Sequence, residues 1–239
     1  MFLHRHATAA LPRYTSYPPA NRFQDGEGRD LYPWWLEGLT PAQPLSLYLH
    51  VPFCSQLCWY CGCHTSVASD SSRIDQFVGR LINEILMVSR RIADPGEVCA
   101  IHFGGGTSTM MSPQAMKRVM QTLRDAFPVR ADAEIAVEID PRTLDDAHVA
   151  TMAAVGVTRA SLGVQDVDPE VQRAINRIQP TELVADRIAA LRAAGIRSTI
   201  VVFGGARILS LEAAAAQLDA VQARDREEPG RPNSHKEMI

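Results

Sequence analysis

Lysine is nearly missing from this 239-residue chain: Lys117 and Lys236 are the two lysines among its 24 basic residues. Arginine, whose planar fork suits carboxylates and phosphates, carries the rest of the positive charge, a bias that fits genome composition as readily as function. Nor is there a surplus of that charge, since 27 acidic residues leave a formal net charge of −3. The balance gives no electrostatic footing for a nucleic-acid partner. No stretch approaches the ~18 consecutive apolar residues of a membrane span. The start of the chain, broken by Arg5, Pro12 and Arg13, lacks the apolar run of a secretory signal. These absences predict a cytoplasmic protein. There thiols stay reduced, and clustered cysteines serve metal or redox chemistry rather than disulfides.

What is present suits one substantial core, with 46% hydrophobic and 21% charged residues. Residues 1–44 are rich in proline and aromatics (Tyr14, Tyr17, Pro18, Pro19, Phe23, Trp34, Trp35) and read as an arm with a short helix over 31–39. An alternation follows. Strands are expected at 45–51, 100–103, 133–140, 160–164 and 198–203. Helices are expected at 74–92, from Ser112 or Pro113 to 126, at 144–155, from a Thr181 cap to Gly195, and at 211–223. In the first of these, Phe77, Leu81, Ile82, Ile85 and Leu86 share a face. Strand, loop and helix repeated in this way predict an α/β fold of parallel strands with outer helices, wound as a barrel or an open sheet over residues 45–223. Residues 224–239 read as a polar, disordered tail. In such folds the functional loops gather at the carboxyl ends of the strands. Here that rim would collect a cysteine loop after the first strand, Gly104 to Gly106 after the second, Glu138 and Asp140 at the third, and Gln165 at the fourth.

Four of the five cysteines fall in one string, CSQLCWYCGC, from Cys54 to Cys63. Zinc is one occupant to weigh: Cys58 and Cys61 have knuckle spacing, and Cys63, Cys54, His50 or His64 could complete a tetrahedron. Structural zinc normally takes a second, separated ligand pair, and none is evident. An iron–sulfur cluster fits the string better. The spacing C-x3-C-x2-C supplies Cys54, Cys58 and Cys61 to a [4Fe–4S] cluster and leaves one iron without a protein ligand. That iron is open to the amino and carboxylate groups of S-adenosylmethionine (SAM). Cys63, two residues beyond Cys61, is expected near the cluster and off it. Cys99, His50 and His102 read as core residues, and neither histidine is taken as a ligand.

The string LYLHVPFCSQLCWYCGCHT resembles the cluster loop of the oxygen-independent coproporphyrinogen III oxidases, radical SAM enzymes of haem biosynthesis. RYTSYPPANRF at 13–23 is similar to that family's N-terminal signature, and HFGGGTSTMMSP, VEIDPRTL and RASLGVQDVDPEVQRAINRIQP follow in its order. The resemblance covers roughly residues 12–199 and implies a partial (β/α) radical SAM barrel. It implies oxidative decarboxylation of coproporphyrinogen III to protoporphyrinogen IX, driven by a SAM-derived 5'-deoxyadenosyl radical, with an unidentified electron donor. Two SAM molecules are implied. Tyr48, Gly105 and Glu138 match contacts to the first, and Tyr60, Gly106, Thr107, Gln165 and Arg177 match contacts to the second. A monomer is expected.

After Thr199 the family pattern breaks. The chain reads IVVFGGA where the family has Asn-Ile-Asp and Tyr-Gly-Leu-Pro, and Val202 falls at a SAM-binding aspartate. The barrel is therefore expected to be incomplete at the C-terminus. A protein that binds the cluster, SAM or haem without turnover stands as the alternative to the enzyme.

Overall fold

Within the strand-forming runs LSLYLHV, VCAIHFGG and RASLGV, large apolar residues alternate with polar or small ones. Each strand thus has one face fit for a core and one fit for water. The computed structural model describes residues 27–202, with backbone alone for 27, 29, 30 and 198–202. It builds these runs into a five-stranded sheet. Its strands are β1 (Leu45–Val51), β4 (Val98–Gly105), β5 (Val129–Ile139), β6 (Arg159–Val164) and β7 (Arg197–Val202), paired in that order and all parallel. The order never reverses, so the chain winds one way as in a barrel wall, not outward from a switch point as in a doubly wound sheet. A two-residue parallel pair, β2 (Phe53–Cys54) with β3 (Ser66–Val67), stands apart from this sheet. Nothing in the alternation of the sequence anticipates it.

The connecting helices are α2 (Ser71–Ser89), α3 (Pro113–Ala126), α4 (Asp146–Ala154), α5 (Pro169–Ala174) and α6 (Thr181–Ala193), with α1 (Glu27–Glu37) before the sheet. Local chemistry starts most of them. The side chains of Asp70, Ser112, Asp145 and Asp168 each accept a backbone N–H of the first turn they precede. Thr181 departs from expectation: it is the first helical residue of α6, and Pro180 holds the cap position with no side-chain bond. Neighbouring helices pack in succession, α2 on α3, α3 on α4 and α4 on α6, forming one outer layer.

Between that layer and the sheet lies the core. Leu49, Val51, Ile101, Phe103, Ile135, Val137 and Leu162 come from the strands. Ile74, Val78, Leu81 and Ile85 come from α2, and Met116, Val119, Met120 and Leu123 from α3. The buried face of α2 keeps Leu81 and Ile85 of the expected stripe and adds Ile74 and Val78, with Phe77 and Ile82 only partly buried at its margin. Each fully buried aliphatic side chain contributes roughly 1.5–3 kcal/mol. The opposite face of the sheet is wet. It carries Tyr48 and His50 on β1, His102 and Gly104 on β4, Glu138 on β5, and Ser161 and Gly163 on β6. His50 and His102 therefore face solvent and are not core residues, correcting the expectation for both. Cys99 is half-buried near the edge, its thiol donating to the Leu45 carbonyl at 3.3 Å. The helix expected at 211–223, the tail at 224–239 and the signature at 13–23 lie outside the described residues.

Candidate cofactor site

The cysteine loop grows directly out of the sheet. Beyond β1 and β4 the pairing continues, with Gly106 N donating to Val51 O at 2.9 Å and Thr107 N to Phe53 O at 2.8 Å. Gly105 sits at φ 116°, and a Cβ there would lie 2.8 Å from Val51 O. At Gly106 a Cβ would run into Thr65 Oγ1 and the Phe53 carbonyl. Gly105 is required by its positive φ and the closeness of β1, and Gly106 because the cysteine loop packs against it. On the far side Ala68 N donates to Cys54 O at 3.1 Å, which clasps the first cysteine from both directions.

All five cysteines are free thiols. Thr65 Oγ1 donates to Cys54 Sγ at 3.3 Å. Burial, and then the nearby Cys61, Asp140 and Cys58, push the Cys54 thiol above its usual pKa, with the Thr65 bond opposing. Cys58 is buried, and two guanidinium groups converge on its sulfur: Arg177 Nη1 at 3.6 Å and Arg142 Nη2 at 4.0 Å. The buried Asp140 carboxylate locks both arginines, accepting from Arg142 Nη2 and ion-paired with Arg177 Nη1 at 2.8 Å each. Desolvation works against the Arg142 charge, but Asp140 outweighs it and the pKa stands above the ordinary value. Cys61 N donates to Cys58 O at 3.0 Å. Cys63 is exposed at the surface, yet burial of its sulfur and the neighbouring Cys61 push its thiol up to about 11.

The donor set fits an iron–sulfur cluster. Three thiols of one loop are free, and N–H and O–H donors are aimed at two of the sulfurs, the kind of hydrogen bonding that tunes such clusters. Among the described residues, no group of three or more His, Cys, Asp or Glu side chains closes on one ion-sized point. A cube, which takes each thiolate on a different iron, does not ask that of them.

Beside the loop, the wet face of the sheet offers a polar floor. His50 Nε2 faces the His64 carbonyl at 2.8 Å; a carbonyl only accepts, so Nε2 donates and Nδ1 accepts from the Tyr48 hydroxyl at 3.2 Å. The Tyr48 ring stacks on His102 at 5.8 Å, and His102 Nε2 meets Glu138 Oε1 at 3.1 Å. Burial and then Glu138 raise the Tyr48 pKa, which keeps its hydroxyl protonated. A Cβ on Gly104 would lie 2.9 Å from the Tyr48 ring and 3.0 Å from Glu138 Oε2. It is Gly104, placed on this rim by the sequence but matched to no ligand, that keeps this floor open. Further along the rim the buried Gln165 Oε1 has no hydrogen-bond partner among the described residues, an unsatisfied acceptor that calls for one.

Not every expected residue is equally free to meet a ligand. Thr107 is buried, and its hydroxyl accepts from the Asp140 amide at 3.0 Å. Arg177 is buried and engaged by Asp140, Gln179 Oε1 and the Gly163 carbonyl as well as Cys58. Tyr60 is exposed beside Cys58, its pKa raised by burial of the hydroxyl against the opposing pull of Arg177. Sequence reasoning passed over Asp140 as an ion-pair anchor, Arg142, Gln56 and Asn176. The one available signal was the run of charged and amide residues in DPRTL and NRIQ at strand and helix ends.

A family model described as the radical SAM superfamily matches residues 48–216. The chain belongs to that superfamily. Membership brings a [4Fe–4S] cluster and SAM as cofactors. Among curated relatives, this radical SAM chain is 51% identical over 186 residues to the oxygen-independent coproporphyrinogen III oxidase of Bradyrhizobium diazoefficiens, covering 78% of this chain and 41% of that protein. Against the enzyme of the same name from Escherichia coli it is 39% identical over 190 residues, covering 79% and 41% respectively. The solved structure of coproporphyrinogen III oxidase from Escherichia coli superposes with a TM-score of 0.76 at 36% identity, over 88% of this chain and 48% of that one. The chain thus spans about two fifths of the length of the curated relatives it matches.

Proposed function

We propose that Cys54, Cys58 and Cys61 hold the [4Fe–4S] cluster and that the wet face of the sheet binds SAM beside it, for the oxygen-independent oxidative decarboxylation of coproporphyrinogen III to protoporphyrinogen IX. The observation that carries this reading is the meeting, on one rim, of the C-x3-C-x2-C loop with the floor formed by Tyr48, Gly104 and Glu138. The relatives' names supply the substrate. Once bound, cluster and SAM together supply a one-electron route to a 5'-deoxyadenosyl radical that takes hydrogen from an unactivated C–H bond. Each of two propionate side chains then gives up one hydrogen atom, one CO2 and one electron and becomes a vinyl group, the electron passing to an acceptor.

The residues of this chain divide the work of binding. Glu138, held by His102, offers a carboxylate oxygen to a ribose or ammonium group of the first SAM, and Tyr48 presents a protonated hydroxyl beside it. Gly105 brings the end of β4 close to the same ligand. Gln165 Oε1, Tyr60, Gly106, Thr107 and Arg177 line the second SAM position. Asp140 pairs with both arginines and so fixes their guanidinium groups beside the Cys58 sulfur.

Anaerobic reconstitution with iron and sulfide tests the reading. The expected product absorbs broadly near ~400 nm, carries about four irons and four sulfides per chain, releases 5'-deoxyadenosine under reduction, and evolves CO2 from coproporphyrinogen III. Stoichiometric zinc without acid-labile sulfide would overturn the cluster assignment. Release of 5'-deoxyadenosine with no CO2 would overturn the substrate.

A further inference from the structure

The middle of the cluster loop is tied to a distant segment, and the tie runs through one asparagine. Among the described residues, Asn176 is the one non-glycine residue with positive φ, at 56°. It stands just past the end of α5, where Asn176 N donates to Arg173 O at 3.2 Å and Arg177 N to Gln172 O at 2.8 Å, a left-handed helix cap. Glycine would serve such a cap with less strain, so the backbone alone does not account for a side chain here.

The side chain has its own partners. Asn176 Nδ2 donates to the Leu57 carbonyl at 2.7 Å, and Oδ1 accepts from Gln56 Nε2 at 2.6 Å. Next to it the Ile175 carbonyl accepts from Trp59 N at 3.1 Å. Gln56 Oε1 in turn accepts from Arg142 Nη1 at 3.2 Å. These bonds hold Gln56 to Trp59, the segment enclosing Cys58, and the residue after the asparagine, Arg177, reaches the Cys58 sulfur. The loop thereby gains a fixed register against the α5 end without any metal.

We propose that Asn176 is a positioning residue that presents Cys58 for cluster assembly by clamping the loop from the left-handed cap of α5. The proposal rests on the assignment of Cys58 as a cluster ligand. Preorganising a ligand in this way removes the ordering penalty from the binding step.

Hydrogen exchange on the metal-free chain reads the clamp directly. Asn176→Gly keeps the turn and removes both side-chain bonds. It should speed exchange across Leu57 to Trp59 about tenfold, the equivalent of roughly one net hydrogen bond, while melting temperature and exchange within the sheet stay unchanged. Asn176→Asp keeps the acceptor for Gln56 but sets an oxygen against the Leu57 carbonyl, so it should loosen the loop as much. After reconstitution both variants should lose iron to a chelator about tenfold faster than the parent. Unchanged exchange across the loop in Asn176→Gly, with the parent taking up iron and sulfide normally, overturns the clamp. A parent that takes up no iron and sulfide overturns the cluster assignment, and the clamp's role with it, whatever the exchange rates.

Discussion

Replacing Asp140 by asparagine removes the charge that holds two arginines in a dry place. Its side chain is 5% exposed, against 15% for Arg142 and 10% for Arg177, so solvent screens neither pair appreciably. Breaking a buried ion pair by removing one partner costs about 3–5 kcal/mol. Asparagine keeps one acceptor oxygen in place, which puts the loss at the lower end, about 3 kcal/mol. For a chain of this length each kcal/mol moves the melting temperature by about 2–4 °C, so Asp140→Asn should melt about 6–12 °C below the parent. Circular dichroism of the metal-free proteins measures this without the cluster. The internal control is Asp132, paired with Arg130 on the open surface at 43% and 71% exposure; Asp132→Asn should shift nothing measurable. An Asp140→Asn protein that melts with the parent would refute the claim that this carboxylate anchors the back of the site.

Further expectations follow from other particulars. Cys63→Ser should keep about four irons per chain after reconstitution, whereas serine at Cys54, Cys58 or Cys61 should abolish a stable [4Fe–4S] signal; iron analysis with electron paramagnetic resonance decides. Gly104→Ala meets only the movable Tyr48 and Glu138 side chains, so it should leave melting nearly unchanged and weaken SAM binding. Gly106→Ala meets Phe53 backbone and should lower both melting temperature and iron content; equal behaviour of the two alanines would contradict the geometry. Asp145 caps α4, and the backbone N–H of His148 holds its carboxyl below the ordinary pKa. A folded pKa below the unfolded one gives stability that is complete above the ordinary carboxylate range and disappears as pH falls through the lowered value. Asp145→Ala should therefore cost about 1 kcal/mol at neutral pH, and its urea midpoint should converge on that of the parent as pH falls below the ordinary carboxylate range.

Much of the fold was legible because period-2 alternation and helix-capping residues are local signals. LSLYLHV and RASLGV become strands nearly where the pattern puts them, and Ser112-Pro113 starts α3 as its chemistry dictates. The pairing of Phe53–Cys54 with Ser66–Val67 was not legible, because two residues carry no period. The winding direction was ambiguous from the alternation alone and is set by which strands become neighbours. At the site, the thiol string was evident from spacing. Asp140, Arg142 and Asn176 were not, since each looks like a solvated loop residue until tertiary contacts give it a partner, at Thr107 and Arg177 for Asp140 and some 85 to 120 residues away in sequence for the other two. The histidines were misplaced because a strand position does not say which face it occupies.

The continuation of β1–β4 pairing into the cysteine loop has a consequence for cluster assembly. Cys54 is bolted to the sheet and Cys58 is gripped by arginines, whereas the backbone of Cys61 rests on a turn closed by one hydrogen bond. If these three thiols hold a cluster as proposed, so uneven a mounting would make Cys61 the one that adjusts to it, while Cys54 and Cys58 already stand in place before it arrives.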